Sequence, residues 1–485
     1  MDSKVDIHEL LKLKFGYDTF REGQEETIRA ALSGKNTLVM LPTGTGKSIC
    51  YQLTGYATNG TAIIVSPLIS LMQDQVEQLK MNGEKRVVAL NSLLSPNHKR
   101  QVLRQLHQFK FIYLSPEMLL QPQVLEALKT ISISLFVIDE AHCICQWGMD
   151  FRPEYSSLGL IRKALGNPLT MALTATATPR VREEILTSLQ LLPDDTHQIL
   201  YSVNRPNISL GTIQCENHAH KNELVIEMVQ KISKPGIIYF SSKKMADEIA
   251  LLIRSQTSLA AESYHSSLET GDKIKIQHQF IQGAIDVICA TSAFGMGINK
   301  NNIRFVFHYH LPASPEAYLQ EIGRAGRDGQ PSVALLFYEQ GDHYIHQRFQ
   351  EEALPSEDVI EMVYRDPSKL DLFPNEDSHK QLLSSFIELK RPLQEVKRQM
   401  ELQRKVKQNQ LYFMIHYIQS PECKRELLLH YFEETLTQKP EICCSSCGLD
   451  LEKYQTSEEN QVNSHKEFKK EWQNTLNDLF LLENL

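Results

Sequence analysis

The sequence predicts an α/β protein: two tandem parallel-sheet domains followed by a mainly helical region. Three observations carry this expectation. Five short apolar runs without polar alternation (38–41, 62–65, 111–114, 135–138 and 171–173) are separated by amphipathic stretches such as 71–79. Such runs suit strands buried on both faces of a parallel sheet, and their alternation with helical stretches implies a doubly wound order. A second series follows at 236–240, 285–290, 305–308 and 333–337, after the punctuating Asn204-Arg-Pro-Asn207. Beyond it the chain reads as mostly helical, and four of its nine cysteines gather between 423 and 447. The expected domains are therefore 1–205, 206–345 and 346–450. A tail, 451–485, closes on an apolar-rich run that reads as a terminal helix.

The first element to justify is the loop Leu41-Pro-Thr-Gly-Thr-Gly-Lys-Ser48, which follows an apolar run and precedes Ile49-Cys-Tyr-Gln-Leu53, a stretch able to continue as a helix. A strand, a glycine-rich turn and a helix N-terminus form a phosphate cradle. Backbone N–H groups point at the phosphates, and the helix dipole favours their charge. Thr43, Gly44, Thr45 and Gly46 supply that backbone. Lys47 reaches the β- and γ-phosphates of ATP as a point charge, and the Ser48 hydroxyl sits on Mg²⁺. The strict pattern has glycine five residues before Gly46, where this chain has Leu41, so the match is to the Thr-Gly-x-Gly-Lys-Ser variant.

The acidic partner is Leu135-Phe-Val-Ile-Asp-Glu-Ala-His142. Its two carboxylates fall at the C-terminal end of a buried strand, where open α/β sheets place ligands. Asp139 is expected to hold Mg²⁺, directly or through water, and Glu140 to orient and deprotonate the attacking water. A strand ending in two solvated acids is the commoner meaning of such a run. The lysine loop, which requires a metal-binding acid on a nearby strand, decides against it.

In the second domain, Gln320-Glu-Ile-Gly-Arg-Ala-Gly-Arg-Asp-Gly329 carries Arg324 and Arg327, which share one face if the segment is helical. Two guanidiniums suit the charge that builds on a transferring phosphoryl group. The segment lies too far along the chain to belong to the first nucleotide-binding unit, so the second domain is expected to close over the same ATP.

Composition is that of an ordinary globular protein, 42% hydrophobic and 23% charged over 485 residues, which suits about three domains. A net charge of −8 excludes a generally basic coat. A nucleic-acid partner must meet a local groove, with affinity that falls steeply with salt. The N-terminus has no secretory apolar core, and no run approaches the roughly 20 apolar residues that span a bilayer. The chain reads as soluble and intracellular, with no membrane partner.

Cys50, Cys143, Cys145, Cys215 and Cys289 read as buried small hydrophobes in a reducing compartment. Cys423, Cys443, Cys444 and Cys447 lie together, and Cys444-Ser-Ser-Cys447 is a C-x₂-C knuckle suited to tetrahedral Zn²⁺. Four cysteines are the leading ligand set, and His430 is the alternative fourth ligand. Between 388 and 410 the chain carries Lys390, Arg391, Lys397, Arg398, Arg404, Lys405 and Lys407. A solvated helix face is the default reading, and contact with duplex phosphates the second.

Taken in order, the motifs resemble superfamily 2 helicases, specifically the RecQ family of DNA helicases, from about residue 10 to 448. Phe15-Gly-Tyr-Asp-Thr-Phe-Arg-Glu-Gly-Gln24 resembles the family's leading motif. Ser66-Pro-Leu-Ile-Ser-Leu-Met-Gln-Asp-Gln75 and Tyr113-Leu-Ser-Pro-Glu117 resemble strand-contacting motifs. Ala172-Leu-Thr-Ala-Thr-Ala-Thr178 resembles the motif that couples hydrolysis to movement. Ala290-Thr-Ser-Ala-Phe-Gly-Met-Gly-Ile-Asn299 and the 320–329 segment resemble motifs of the second motor domain. The stretch Cys143-Ile-Cys-Gln-Trp-Gly-Met-Asp-Phe-Arg-Pro-Glu-Tyr155 is similar to the aromatic-rich loop of RecQ proteins.

The resemblance implies two RecA-like motor domains and a helical zinc-binding domain. It implies that Arg21 and Gln24 contact adenine, that Arg327 is the arginine finger and that Arg324 assists. It also implies that Trp147, Phe151 and Arg152, with His142, contact DNA or couple it to hydrolysis; stacking on unpaired bases is worth about 1–3 kcal/mol per base. The activity implied is ATP-dependent 3′-to-5′ translocation on single-stranded DNA and unwinding of duplex or branched DNA in recombination and repair. Two other functions stay open: a DNA-binding or annealing ATPase with weak unwinding, and an RNA helicase. Many RecQ proteins continue into a winged-helix domain and a helical nucleic-acid-binding domain, and 35 residues after position 450 hold neither. The expected type is thus a short bacterial form, cytoplasmic and nucleoid-associated, with single-strand-binding or repair proteins as partners.

Overall fold

The computed structural model describes residues 6–92, 94–145, 153–295, 300–374 and 377–455. Two all-parallel sheets dominate it. The first contains β1 (Asn36–Met40), β2 (Thr61–Val65), β3 (Val87–Leu90), β4 (Phe111–Leu114), β5 (Ile133–Ile138), β6 (Thr170–Thr174) and β7 (Thr196–Leu200), in the order β3-β4-β2-β5-β6-β1-β7. The second contains β8 (Ile208–Cys215), β9 (Gly236–Tyr239), β10 (Ala261–Tyr264), β11 (Val287–Ala290), β12 (Phe305–His308) and β13 (Ser332–Glu339), in the order β10-β11-β9-β12-β13-β8. Central strands are buried along most or all of their length, because helices pack on both faces. The first sheet has one apolar cluster around Phe136 and Ile138 and another around Val137 and Leu173.

The nine expected strands are all present. The four that were not expected, β3, β7, β8 and β10, are the four sheet edges. An edge strand is covered on fewer sides, so it needs no continuous apolar run. Thr196-His-Gln-Ile-Leu200, for example, buries only its first and fourth residues.

A local signal starts several helices. Ser115-Pro116, Thr178-Pro179 and Ser314-Pro315 each put a hydroxyl at the N-cap and proline in the first turn, and the hydroxyl accepts from Met118, Val181 or Ala317 N–H. Such a cap is worth about 1 kcal/mol, and proline removes a donor that would be unmet there.

The third region consists of helices His343–Ala353, Glu357–Arg365, Ser378–Glu388, Leu393–Gln419 and Lys424–Tyr431. It ties the two lobes together. At one end Ser385 Oγ donates to Glu154 Oε1 at 2.6 Å and Arg391 Nη2 to Ser156 Oγ at 3.2 Å, both in the first lobe. At the other, Leu411, Met414, Tyr417 and Ile418 enter the core of the second lobe beside Tyr318 and Ile322. The cysteine-bearing segment extends β8: Leu210 N donates to Cys443 O at 3.2 Å and Ser209 Oγ to Ile442 O at 2.6 Å. Most basic side chains of 390–407 serve the fold. Lys397 pairs with Glu357 and Glu361, Arg391 with Glu395, Lys405 with Glu401, and Arg404 donates to Pro355 O. The expected terminal helix at 476–485 lies outside the described residues.

Candidate functional site

The phosphate loop joins β1 to the helix Lys47–Ala57. Gly44 (φ 86°) and Gly46 (φ 77°) lie in the left-handed region that turns the chain tightly enough for its N–H groups to converge. Two residues of the leading motif brace the loop. Gln24, which is buried, donates from Nε2 to Thr45 O at 2.7 Å and to Gly46 O at 3.1 Å, while its Oε1 accepts from Arg21 N at 2.9 Å. The Arg21 guanidinium donates to Gly44 O. Both side chains therefore rest on the loop. Lys47 Nζ donates to Leu41 O at 3.1 Å. Burial pushes its ammonium below the ordinary lysine value, against the pull of Glu140 and Asp139.

Asp139 and Glu140 stand at the end of β5. Burial, then the charge of Glu140, pushes the Asp139 carboxyl well above the usual carboxylate range. Glu140 has φ 47°, a left-handed backbone on a residue with a side chain, a strain of the kind that clusters at functional sites. His142 Nδ1 lies 3.0 Å from Thr174 Oγ1 and 3.4 Å from Glu140 Oε2. Thr174 Oγ1 in turn donates to Thr176 O at 3.0 Å. The acid strand is thus linked through His142 to the 172–178 segment. Tyr155, which closes the stretch similar to the aromatic-rich loop, is a fully buried core residue whose hydroxyl donates to Asp139 O at 3.3 Å. In the 113–117 motif, Tyr113 is also buried, with its hydroxyl 3.4 Å from that of Tyr51.

The second lobe meets the loop directly. A Cβ built on Gly44 would fall 2.6 Å from Arg327 Cγ, and one on Gly323 would fall 1.7 Å from Thr43 Oγ1. Two glycines, one per lobe, permit this approach. Arg327 is half-buried in the cleft. Burial, then the charges of Arg324 and Arg205, brings it down to about 9, so it stays cationic at neutral pH.

The expectation of one helical face bearing both arginines is corrected. The helix Pro315–Ile322 stops at Gly323, and Gly326 has φ 54°, so the two side chains diverge. Arg324 turns into its own lobe and donates to Gly295 O, while Arg327 crosses to the phosphate loop.

The four cysteine sulfurs lie within 4.8 Å of one another. Cys423–Cys443, Cys444–Cys423 and Cys444–Cys447 are 3.6, 3.8 and 3.4 Å apart. A tetrahedral Zn²⁺ with bonds of about 2.3 Å requires sulfurs about 3.8 Å apart, so the cluster fits the ion. The fourth member of the cluster is a cysteine; His430 is not among the four. Lys424 N donates to Cys444 Sγ at 3.3 Å, a bond that supports a thiolate. The other five cysteines are buried thiols.

Comparison with known proteins matches the same three regions. A DEAD/DEAH box helicase model matches residues 21–185, a helicase conserved C-terminal domain 220–329, and a RecQ zinc-binding domain 378–450. A probable ATP-dependent DNA helicase RecS of Bacillus subtilis is 43% identical over 97% of each chain. The chain belongs to the RecQ family of helicases. The ATP-dependent DNA helicase RecQ of Haemophilus influenzae is 37% identical over 91% of this RecQ-family chain and 63% of its own. The solved helicase MrfA, bound to DNA, shares the fold with a TM-score of 0.59 at 17% identity, over 72% of this chain and 54% of that one. Like other RecQ-family members, the chain is an ATP-dependent helicase with a zinc-binding module.

Trp147, Phe151 and Arg152, and residues 296–299 of the 290–299 motif, lie outside the described residues. Among the described residues no helix is long and apolar enough to cross a membrane. Two residues that sequence reasoning passed over are Arg205, in the linker between the lobes, which donates to Thr43 O and Gly326 O, and Arg425, which donates to Arg205 O. The only signal for Arg205 was its place in Asn204-Arg-Pro-Asn207, read there as punctuation.

Proposed function

We propose that this chain is a DNA helicase that moves 3′ to 5′ along single strands and opens duplex or branched DNA in recombination and repair. The observation that carries the reading is Arg327 of the second lobe packed on Gly44 of the phosphate loop, with Lys47 and the acids of β5 at the same place. Thr43, Gly44, Thr45 and Gly46 cradle the triphosphate, and Lys47 draws its β/γ oxygens. Ser48 and Asp139 hold Mg²⁺, which neutralises the phosphate charge. Glu140 takes the proton of the attacking water. Arg327 stabilises charge on the transferring phosphoryl group, with Arg324 as its support from within the lobe. Arg21 and Gln24 read the adenine. His142, through Thr174, reports the state of the acid strand to the 172–178 segment, and the loop bearing Trp147, Phe151 and Arg152 senses bound bases. The protein works in the bacterial cytoplasm at the nucleoid, beside single-strand-binding or repair proteins.

The test is strand displacement on duplexes with a 3′ or a 5′ tail, with Lys47→Ala as the inactive control and ATPase stimulation compared between DNA and RNA oligomers. Displacement restricted to the 3′-tailed DNA is expected. A preference for the 5′ tail, or equal stimulation by RNA, overturns the reading.

A further inference from the structure

Arg205 belongs to neither the phosphate loop nor the finger segment, yet it binds both. It lies in the linker between β7 and β8, and each of its five N–H donors has an acceptor. Nε reaches Asn207 Oδ1 at 3.4 Å; Nη1 reaches Thr43 O at 2.8 Å and Gly323 O at 3.3 Å; Nη2 reaches Ala325 O at 3.2 Å and Gly326 O at 2.7 Å. One of those carbonyls is in the first lobe's loop, and three are in the turn that presents Arg327. Thr43 adjoins Gly44, Gly326 adjoins Arg327, and Gly44 and Arg327 touch. A single planar fork therefore sets the register of the contact on which hydrolysis depends. Lysine, with three donors and no plane, cannot reproduce it.

The same linker is gripped from its other side by Arg425, in the first turn of the helix Lys424–Tyr431. Arg425 is 3% exposed. Its Nη1 donates to Asn204 Oδ1 at 2.6 Å and to Arg205 O at 3.0 Å, and its Nη2 to Ile208 O at 2.5 Å and Cys443 O at 3.4 Å. Cys443 belongs to the four-sulfur cluster, and Cys423 is the N-cap of the helix that carries Arg425. A continuous set of hydrogen bonds runs from the cluster to the linker and from the linker to the nucleotide site.

We propose that Arg205 is a positioning residue for ATP hydrolysis, aligning Arg327 with the phosphate loop, and that Arg425 makes this alignment depend on the zinc module. The inference rests on the finger role of Arg327 given above. In the full-length, zinc-loaded chain, Arg205→Lys lowers kcat of the DNA-stimulated ATPase by about 10²-fold, the scale set by a misplacement of about 1 Å. KM for ATP moves by less than about threefold, since the loop still grips the nucleotide. The double variant Arg205→Lys with Arg327→Ala is no slower than Arg327→Ala alone, because both changes remove one contribution. Arg425→Lys lowers kcat about tenfold with zinc content unchanged. If Arg205→Lys does not fold, Arg205→Gln gives the same readout.

Wild-type kcat in Arg327→Ala removes the finger reading itself. A slow Arg327→Ala beside a wild-type Arg205→Lys leaves that reading standing and overturns this one, as does a double variant whose losses multiply. Wild-type kcat in zinc-loaded Arg425→Lys overturns the dependence on the zinc module.

Discussion

Replacing Gly323 by alanine tests whether hydrolysis requires the lobes to meet as they do here. Gly323 has φ −63°, an ordinary right-handed backbone, so alanine meets no φ penalty, and within its own lobe the methyl comes only to 2.9 Å from Leu319 O. The added methyl carbon would fall 1.7 Å from Thr43 Oγ1 and 3.0 Å from Thr43 Cβ, in a range where contacts under 3.0 Å are essentially never seen. Relief demands that Thr43 turn away or that the lobes part by roughly 1 Å, and misplacement of that size costs about 10²-fold in an aligned reaction. We therefore expect kcat to fall about 10²-fold while the dissociation constant of a fluorescent ATP analogue changes less than about threefold. Steady-state ATPase with saturating single-stranded oligonucleotide measures the first, and equilibrium titration the second. Thr43→Ala removes the hydroxyl that the methyl strikes. In that background the alanine at 323 should cost only about tenfold or less. Near-wild-type kcat in Gly323→Ala, or an undiminished cost when Thr43 is alanine, would refute the closed contact as the hydrolytic arrangement.

Three further outcomes follow from the geometry. Thr174→Val keeps the side-chain shape but removes the oxygen that His142 and Thr176 share; strand displacement per ATP hydrolysed should drop about tenfold, roughly the loss of one or two hydrogen bonds, with KM for ATP unchanged. Cys447→Ser should lower the zinc content to well below about one per chain and raise proteolysis at the cluster, measured by elemental analysis and limited digestion; full zinc retention would exclude Cys447 as a ligand. Burial, then Glu77, raises the Asp74 carboxyl to about 6, so its ionisation disfavours the fold. The cost is absent below about pH 4, the ordinary value, and complete above the raised one. Asp74→Asn should then raise Tm at pH 8 by about 2–4 °C, for about 1 kcal/mol after allowance for its contact with solvent, and leave Tm at pH 4 unchanged.

What the sequence showed, and what it hid, divides along physical lines. Central strands and the phosphate loop were legible because burial on two faces and a tight glycine turn leave little freedom in residue choice. The edge strands were not, since partial cover tolerates polar residues such as His197 and Gln198 in β7. The four cysteines met as their spacing suggested, because tetrahedral ligation restricts both type and distance. Arg324 and Arg327 were misread as sharing one face, since helix spacing was extended past Gly323 and Gly326. Arg205 and Arg425 were invisible for a different reason. Most of their partners are backbone carbonyls, many from distant segments, and a carbonyl leaves no mark in the amino-acid alphabet. The basic run at 390–407 read by default as a solvated helix face, with duplex contact second; Glu357 and Glu361, which face Lys397 from a neighbouring helix, could not be placed there from sequence.

The charges around Gly44 predict that ATP and ADP favour different lobe arrangements. Arg324, Arg205 and Arg21 all push Arg327 downward, and Arg327 does the same to Lys47. Arg205 bonds only neutral acceptors, so its charge is not cancelled by its partners. Like charges about 6–8 Å apart repel by roughly 2–3 kcal/mol at an effective dielectric of about 20. Arg324 shares a lobe with Arg327, so the terms that oppose closing are those of Arg21 and Lys47 against Arg327, with Glu140 and Asp139 offsetting part of the charge on Lys47; a triphosphate reverses their sign. On the proposed finger role, hydrolysis and loss of the γ-phosphate would remove the anion nearest Arg327, and repulsion would again favour opening. Arg327→Gln deletes the charge that crosses the cleft. Small-angle scattering of the wild type should then show a more compact particle with a non-hydrolysable ATP analogue than with ADP, the variant should show a much smaller difference, and added salt should shrink the wild-type difference as well. An equal change in radius for the variant and the wild type would show that something other than this guanidinium drives closure.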